Sequence, residues 1–485
     1  MINWKIISKI LGQLLLLEVS LLLLCSIYAW VNGEHDFYAF LSSSGITLAA
    51  ALLMIYLGRG GETMMSRRDS YIVVSSVWIV FSIFGSLPFL LSGALLRPID
   101  AFFETMSGFT TTGASLIDDV EVLPHALLFW RSLTQWIGGL GIVFFTIAVI
   151  PSMVGGSVRV FAAEATGPLR TKMHPRLSTT GRWIWGIYAT LTTVCGLAFW
   201  AEGMSGFDAV NYAMTVAATG GFATHNSSSG YFHSAAIDFT AIAFMFLCGV
   251  SFTLLYLAMF KRRWRDFIDN PELRLFIWMI ICCTAFIAAM LWHKCDYTFV
   301  EAVRYALFQV VSFITTTGIF NDDAGQWPHI TWVVLTLCMF VGGCSGSTAG
   351  GFKCIRVTLL FHIIRNELRR LVHPSAVLPT RSGNVSLDYS LQVTLMGFLA
   401  VYFSLCFITY FIMILAGVDS TNSITIAFSC ASNVGPTLGL EIGPTMSWNV
   451  LPQAVKLILT LLMLMGRLEI LSVLVLFTGA FWRDR

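Results

Sequence analysis

The chain has 485 residues, of which 56% are hydrophobic and only 12% charged, and its 29 lysines and arginines nearly balance 27 aspartates and glutamates. A soluble globular domain carries roughly 25% charge, so the composition excludes that class and describes a polytopic membrane protein. The eleven cysteines show no zinc-like or disulfide-framework spacing and read as small buried apolar residues.

A membrane-crossing helix needs about 20 apolar residues. In chain order, such runs occupy 11–31, 38–57, 71–96, 125–150, 183–202, 235–260, 273–293, 328–361, 389–417 and 450–479. No Ala-x-Ala-like cleavage site follows the first run, which reads as a retained helix. With ten alternating spans, every basic cluster falls on one side. These clusters run from Lys5 and Lys9, through Arg59, Arg67 and Arg68 and the stretches 159–182, 261–274 and 356–381, to Arg483 and Arg485. Together they hold 22 of the 29 basic residues. The positive-inside rule makes that side, and with it both termini, cytoplasmic.

Four shorter semi-polar segments lie between consecutive spans from the third span onward, one in every second connection. Each is too short to cross, so it enters and leaves on one side, and each ends in a glycine. The four are Thr110-Thr111-Thr112-Gly113, Ala218-Thr219-Gly220-Gly221, Thr315-Thr316-Thr317-Gly318 and Ser432-Asn433-Val434-Gly435, with Gly-to-Gly separations of 108, 97 and 117. Asp100, Ala101 and Met106 precede Gly113 at the offsets of Asp208, Ala209 and Met214 before Gly221. That register selects Gly221 over Gly220. The expected organisation is an all-α membrane protein with a helix pair at 1–57 and four span–short helix–span repeats at 58–182, 183–272, 273–388 and 389–485.

Each short segment starts with a polar or acidic residue and reads as a helix whose C-terminal end carries partial negative charge toward its loop. Irregular backbone at membrane depth is tolerated only where it is buried in protein or lines a watery cavity. Four such loops satisfy that condition by meeting around one axis. Glycine lets their carbonyls turn inward, where they can replace part of a dehydrated cation's water shell. The repeated set is a far stronger signal than any one loop.

The loops TTTGAS, ATGGFAT, TTTGIF and SNVGPTL resemble the four pore loops of the Trk/Ktr/HKT superfamily of potassium transporters. The resemblance runs from about residue 71 to the end, and residues 1–57 match the additional N-terminal pair of a bacterial membrane-subunit branch. It implies a potassium-channel-like fold with pseudo-fourfold symmetry, potassium as substrate held by the sixteen loop residues, and no covalently bound cofactor. It also implies a homodimer with one pore per subunit in the bacterial inner membrane, and a cytosolic TrkA-like ring that binds nucleotide. The fourth loop departs from the threonine pattern, which implies looser selectivity. Glycine in all four loops favours potassium over the sodium-selective relatives that carry Ser in one.

Residues 328–371 exceed one crossing, since a helix of that length runs to roughly 65 Å. Near the middle stands Gly342-Gly343-Cys344-Ser345-Gly346-Ser347-Thr348-Ala349-Gly350-Gly351, whose five glycines each disfavour helix by about 1 kcal/mol. We expect an unwound intramembrane segment acting as a movable gate, as the resemblance also implies. The alternative is a close-packed crossing of small residues. Gly346 to Lys353 nearly matches a nucleotide-binding loop, but the lysine falls one place late and no strand precedes it.

Arg467 lies mid-span, where a charge costs at least ~2.5 kcal/mol unless it is paired or faces water. It either projects into the pore as an electrostatic barrier, the role that the resemblance gives it, or pairs with another helix. Glu469, two residues on, does not share its helix face. Lys456 and Arg131, near span ends, read as snorkelling to the interface. Glu104 either concentrates cations at the outer mouth or is a capping and packing charge. The basic stretches 159–182, 261–265 and 365–381 suit a docked partner or lipid headgroups. No nucleophile–base set or metal cluster emerges, so no enzyme is expected. A coupled sodium- or proton-linked secondary transporter is the competing class. Repeats of one orientation favour a channel-like conduit over the inverted repeats typical of that class.

Overall fold

The computed structural model describes residues 2–60, 65–141, 177–374, 381–382, 385–386, 389–439 and 441–483. Residues 142–150 of the 125–150 run, the basic residues between 159 and 176, residues 375–380 and Arg485 lie outside these. Among the described residues the chain is helical apart from one two-residue ladder that pairs Arg381 with Ser386 and Ser382 with Val385.

Six described helices are long and apolar enough to cross a membrane: Trp4–Asn32, Phe37–Leu57, Arg68–Leu91, Gly181–Ala201, Pro271–Lys294 and Tyr389–Leu415. The first two form an antiparallel hairpin turned by Gly33 in the left-handed region. Glycine lets the pair close up. A Cβ at Gly12 would lie 2.7 Å from the Ala51 carbonyl, and one at Gly58 would lie 2.6 Å from the Lys9 side chain.

Between the long helices stand four short ones: Pro98–Phe109, Gly206–Ala218, Phe299–Ile314 and Ser420–Ser432. At 12 to 16 residues they are roughly 18–24 Å long, short of a hydrocarbon core of about 30 Å. Their starts are fixed by local sequence. Pro98 opens the first, Ser205 caps the second, Thr298 and Glu301 form a capping box on the third, and Asp419 accepts from Thr421 and Asn422 on the fourth. Such caps satisfy otherwise orphaned N–H groups. Their C-terminal ends, capped by N–H groups of the loops that follow, meet at the centre of the molecule. Three apolar clusters pack around them, typified by Trp78, Phe109 and Trp130; by Tyr212, Phe276 and Phe313; and by Phe352, Tyr402 and Trp448.

The helix following each short one is interrupted, so the apolar runs 235–260 and 450–479 are each two helices meeting at a sharp break rather than one continuous helix. Ala235–Gly249 and Phe252–Lys261 meet at 98°, while Gln453–Arg467 and Ile470–Phe477 meet at 116°. The first break follows Gly249 through the extended Val250, and the second turns at Glu469, whose φ is +68°. His125–Leu140 stops at Gly141, with φ +86°, and His329–Val341 stops at Gly342, with φ +71°. Residues 342–353 are unwound before helix Cys354–Val372 begins. They do not form a close-packed helical crossing.

Candidate functional site

The four loops share one backbone conformation. The residue two before each final glycine is left-handed: Thr111, Thr219, Thr316 and Asn433 have φ between 53° and 56°. Three of these are β-branched threonines, for which that region is a true outlier. Gly113, Gly221, Gly318 and Gly435 follow with φ of 81°, 85°, 77° and 101°. Gly220 is absent from the positive-φ set, so Gly221 is the geometric counterpart of the other three. Each loop is tied to its own short helix, as where the Thr112 N–H donates to the Ser107 carbonyl at 2.9 Å and the Thr317 N–H to the Ser312 carbonyl at 2.8 Å.

The glycines also close the loops into a ring. A Cβ on Gly113 would lie 2.1 Å from the Gly220 carbonyl oxygen, and one on Gly221 would lie 2.2 Å from that of Thr317. One on Gly318 would lie 2.0 Å from that of Val434, and one on Gly435 would lie 2.4 Å from that of Thr112. The order runs from the first loop to the second, third, fourth and back to the first. Each position therefore needs glycine twice over, for its dihedral and for the room beside a neighbour's carbonyl.

Hydroxyls hold the loops from behind. Thr110 and Thr112 share a hydrogen bond of 2.8 Å, as do Thr315 and Thr317. In the fourth loop Ser432 bonds the Tyr402 hydroxyl at 2.7 Å. Asn433 donates to the Thr112 hydroxyl and the Met463 carbonyl, both at 2.9 Å. On one side of the ring an open vestibule is floored by Gly113, Gly221, Gly318 and Gly435.

The unwound segment lies against the opposite side. Its Gly350 N–H donates to the Thr316 hydroxyl at 2.6 Å, its Gly351 N–H to the Ser432 carbonyl at 2.9 Å, and its Thr348 hydroxyl to the Ala217 carbonyl at 3.1 Å. Residues 342–351 thus bond the third and fourth loops directly and the end of the second short helix at Ala217. Gly342, Gly346 and Gly351 have φ between 71° and 77°. Cys344 donates to the Gly249 carbonyl, and the Ser347 hydroxyl to that of Cys344. Gly343 packs on Ala349. Ser345 and Ile355 both donate to Glu272 Oε1, at 2.5 and 3.1 Å. The Lys353 ammonium bonds the Ala349 carbonyl.

Arg467 completes this arrangement. Its guanidinium donates to the Thr348 carbonyl at 3.0 Å and to the Gly138 and Gly139 carbonyls at 2.6 Å each. It therefore ties the unwound segment to the end of the first inner helix. Glu469 pairs instead with Arg356.

Two charges read from sequence as snorkelling to the interface, Lys456 and Arg131, are buried braces, which corrects that reading. Lys456 is fully buried and meets Asp100 at 2.9 Å, fixing the start of the first short helix. Arg131, 2% exposed, meets Glu104 at 3.0 Å, bonds Ser115 and the Ala223 carbonyl, and lies 4.2 Å from the Phe222 ring centre. Glu104 also accepts from the Leu116 N–H at 2.8 Å, so both its oxygens are engaged within the protein and it is a packing charge. Sequence reasoning also passed over Glu272 and Gln135, which touch the segment and the second loop. A lone Gln three residues before the Gly138-Gly139 pair in an apolar run was the available signal for Gln135.

The family profile described as a TrkH cation transport protein matches residues 39–484. The chain is 38% identical over 481 residues to the Trk system potassium uptake protein TrkH of Halomonas elongata, covering 99% of each chain. It is 35% identical to the protein of the same description from Escherichia coli K12, covering 99% of this chain and 100% of that one. The crystal structure of the potassium transporter TrkH from Vibrio parahaemolyticus superposes with a TM-score of 0.88 at 33% identity, covering 99% of both chains. With its apolar helices and full-length match, the chain belongs to the TrkH family of membrane cation transporters.

Proposed function

We propose that the chain takes up potassium through a central pore, with the ring of sixteen loop residues as its selectivity filter and residues 342–351 as its gate. The observation that carries this reading is the closed ring, in which each loop's glycine packs on the next loop's carbonyl. Four short helices point their C-terminal ends, and so their partial negative charge, at the same place. Backbone carbonyls and threonine hydroxyls are hard oxygen donors suited to an alkali cation, which needs no covalent cofactor. The potassium uptake named for the relatives supports potassium as that ion.

The gate rests on position. Residues 342–351 lie across the ring on the side away from the vestibule, bonded to two of its loops and to the end of the second short helix. Arg467 latches them to Gly138 and Gly139, and its positive charge there opposes cation passage. Opening requires these bonds to exchange partners. We assign control of that step to a cytosolic nucleotide-binding ring of the TrkA kind docked on basic stretches such as 261–265, with the protein a homodimer whose termini are cytoplasmic.

Currents through the purified protein in planar bilayers, under opposed potassium and sodium gradients, test the reading. A potassium-dominated current is expected, and Gly346→Ala with Gly350→Ala should change it. Saturable uptake of an organic solute without cation current would overturn the conduit.

A further inference from the structure

The second loop lacks the hydroxyl pair that holds the first and third. Where those carry Thr110 with Thr112 and Thr315 with Thr317, it has Ala218 and Gly220. Gln135, fully buried on the inner helix His125–Leu140, stands behind it. Its Nε2 donates to the Gly220 carbonyl at 2.6 Å, and its Oε1 accepts from the Phe222 N–H at 3.0 Å. One amide therefore clamps the loop on both sides of Gly221. The two bonds also fix which way the amide faces, since the reverse orientation would oppose like groups.

The amide fills the space of the missing side chain. A Cβ on Gly220 would lie 2.5 Å from Gln135 Cδ, 2.6 Å from Oε1 and 2.9 Å from Nε2. The helix register allows this, because Arg131, Gln135, Gly138 and Gly139 recur at intervals that share one face. Arg131 fixes Ser115 and Ala223 above, and Gly139 packs on Ala218 below. The other inner helices offer no such group near the ring. Residues 235–249 and 329–341 contain no Asn or Gln, and in 453–467 the only one is Gln453 at the far end.

The bond has an electrostatic consequence. Of the four carbonyls that glycines of the ring face, those of Thr112, Thr317 and Val434 accept no side-chain hydrogen bond among the described residues, while that of Gly220 does. A carbonyl whose lone pair is shared with an N–H donor offers less to a cation.

We infer that Gln135 is a positioning and specificity-determining residue of the ring. It replaces the absent hydroxyl pair of the second loop and makes the Gly220 oxygen the weakest of four unequal ligands. The inference rests on reading the ring as a cation filter, and its test separates the two. Potassium, rubidium and sodium uptake would be compared in proteoliposomes for wild type, Gln135→Ala, Gln135→Met, Gly220→Ser, Gln135→Ala with Gly220→Ser, and Gly113→Ala.

The expected shift in potassium-over-sodium preference for Gln135→Ala is about tenfold, the equivalent of ~1.4 kcal/mol. Gln135→Met keeps the length of the side chain but loses both bonds, so it should shift the preference in the same direction even where the alanine variant assembles poorly. Gly220→Ser alone should be inactive, because its Cβ overlaps the amide. The double variant should regain uptake and preference, because the serine occupies the vacated space. Wild-type preference in both Gln135 variants, or a double variant no better than Gly220→Ser, would overturn the inference while the Gly113→Ala effect left the filter standing. If Gly113→Ala also kept wild-type preference, the filter reading itself would fail.

Discussion

The ring of loops and the unwound segment beside it are both irregular backbone enclosed by apolar helices, but they are held in different ways. The ring occurs four times over, and each copy takes its shape from its own sequence, with a left-handed residue two places before a positive-φ glycine. Its closure is chiefly steric, glycine against carbonyl, supported by short side-chain bonds such as Asn433 to Thr112 and Gln135 to Gly220. Residues 342–351 occur once and are fastened from elsewhere, by Glu272, Thr316, Ser432 and Arg467. Steric closure resists change, because packed interiors have little free volume. Hydrogen bonds at a net ~1 kcal/mol each can be exchanged one for another. The contrast suits a part that selects and a part that moves.

The strongest way to break this comparison is at a ring glycine. Gly221→Ala places a methyl 2.2 Å from the Thr317 carbonyl at a φ of +85°, and is expected to cut potassium uptake sharply and lower its preference over sodium in proteoliposomes while the protein still elutes as an assembled species. Next comes the brace behind the ring. Lys456→Met leaves Asp100 buried and unpaired, a loss of about 3–5 kcal/mol for pairs of this kind. It should lower the thermal midpoint in detergent, and Asp100→Asn in the same chain should restore most of it.

Substitutions at the residues that fasten the segment should act in the opposite sense. Arg467→Ala removes three bonds from the closed arrangement and a charge from the path, so uptake should rise by about tenfold for each ~1.4 kcal/mol of lost closure. Unchanged or reduced uptake at normal yield would show that the arginine is only structural. Glu272→Gln should have the smallest effect. The amide still accepts from Ser345 and Ile355, but bonds to a neutral acceptor are about half as strong as those to a carboxylate. A rise in uptake of a few-fold is expected, measured against the arginine variant in the same vesicles.

These differences also explain what the sequence discloses. The long spans are legible because twenty apolar residues have few other uses, and the loops because a short polar segment ending in glycine recurs in every second connection. Residues 342–351 are legible as a break because five glycines crowd ten positions. The breaks at Val250 and Glu469 were not, since each follows a single glycine, Gly249 or Gly466, inside an otherwise continuous apolar pattern. Lys456 and Arg131 were misplaced for another reason. Their partners stand 356 and 27 residues away, and a charge pair made across the fold leaves no local trace. Gln135 belongs with them, because its partners at Gly220 and Phe222 become neighbours only when two repeats pack together.

The central claim is that four unequal loops act as one filter, and four single substitutions address it most directly. Gly113→Ser, Gly221→Ser, Gly318→Ser and Gly435→Ser would each be reconstituted and their potassium-to-sodium flux ratio measured under matched gradients. Because every glycine packs on the next loop's carbonyl, all four are expected to lower the ratio, including the one in the divergent fourth loop. A wild-type ratio in any of them, in a protein that still conducts, would contradict a closed four-loop filter.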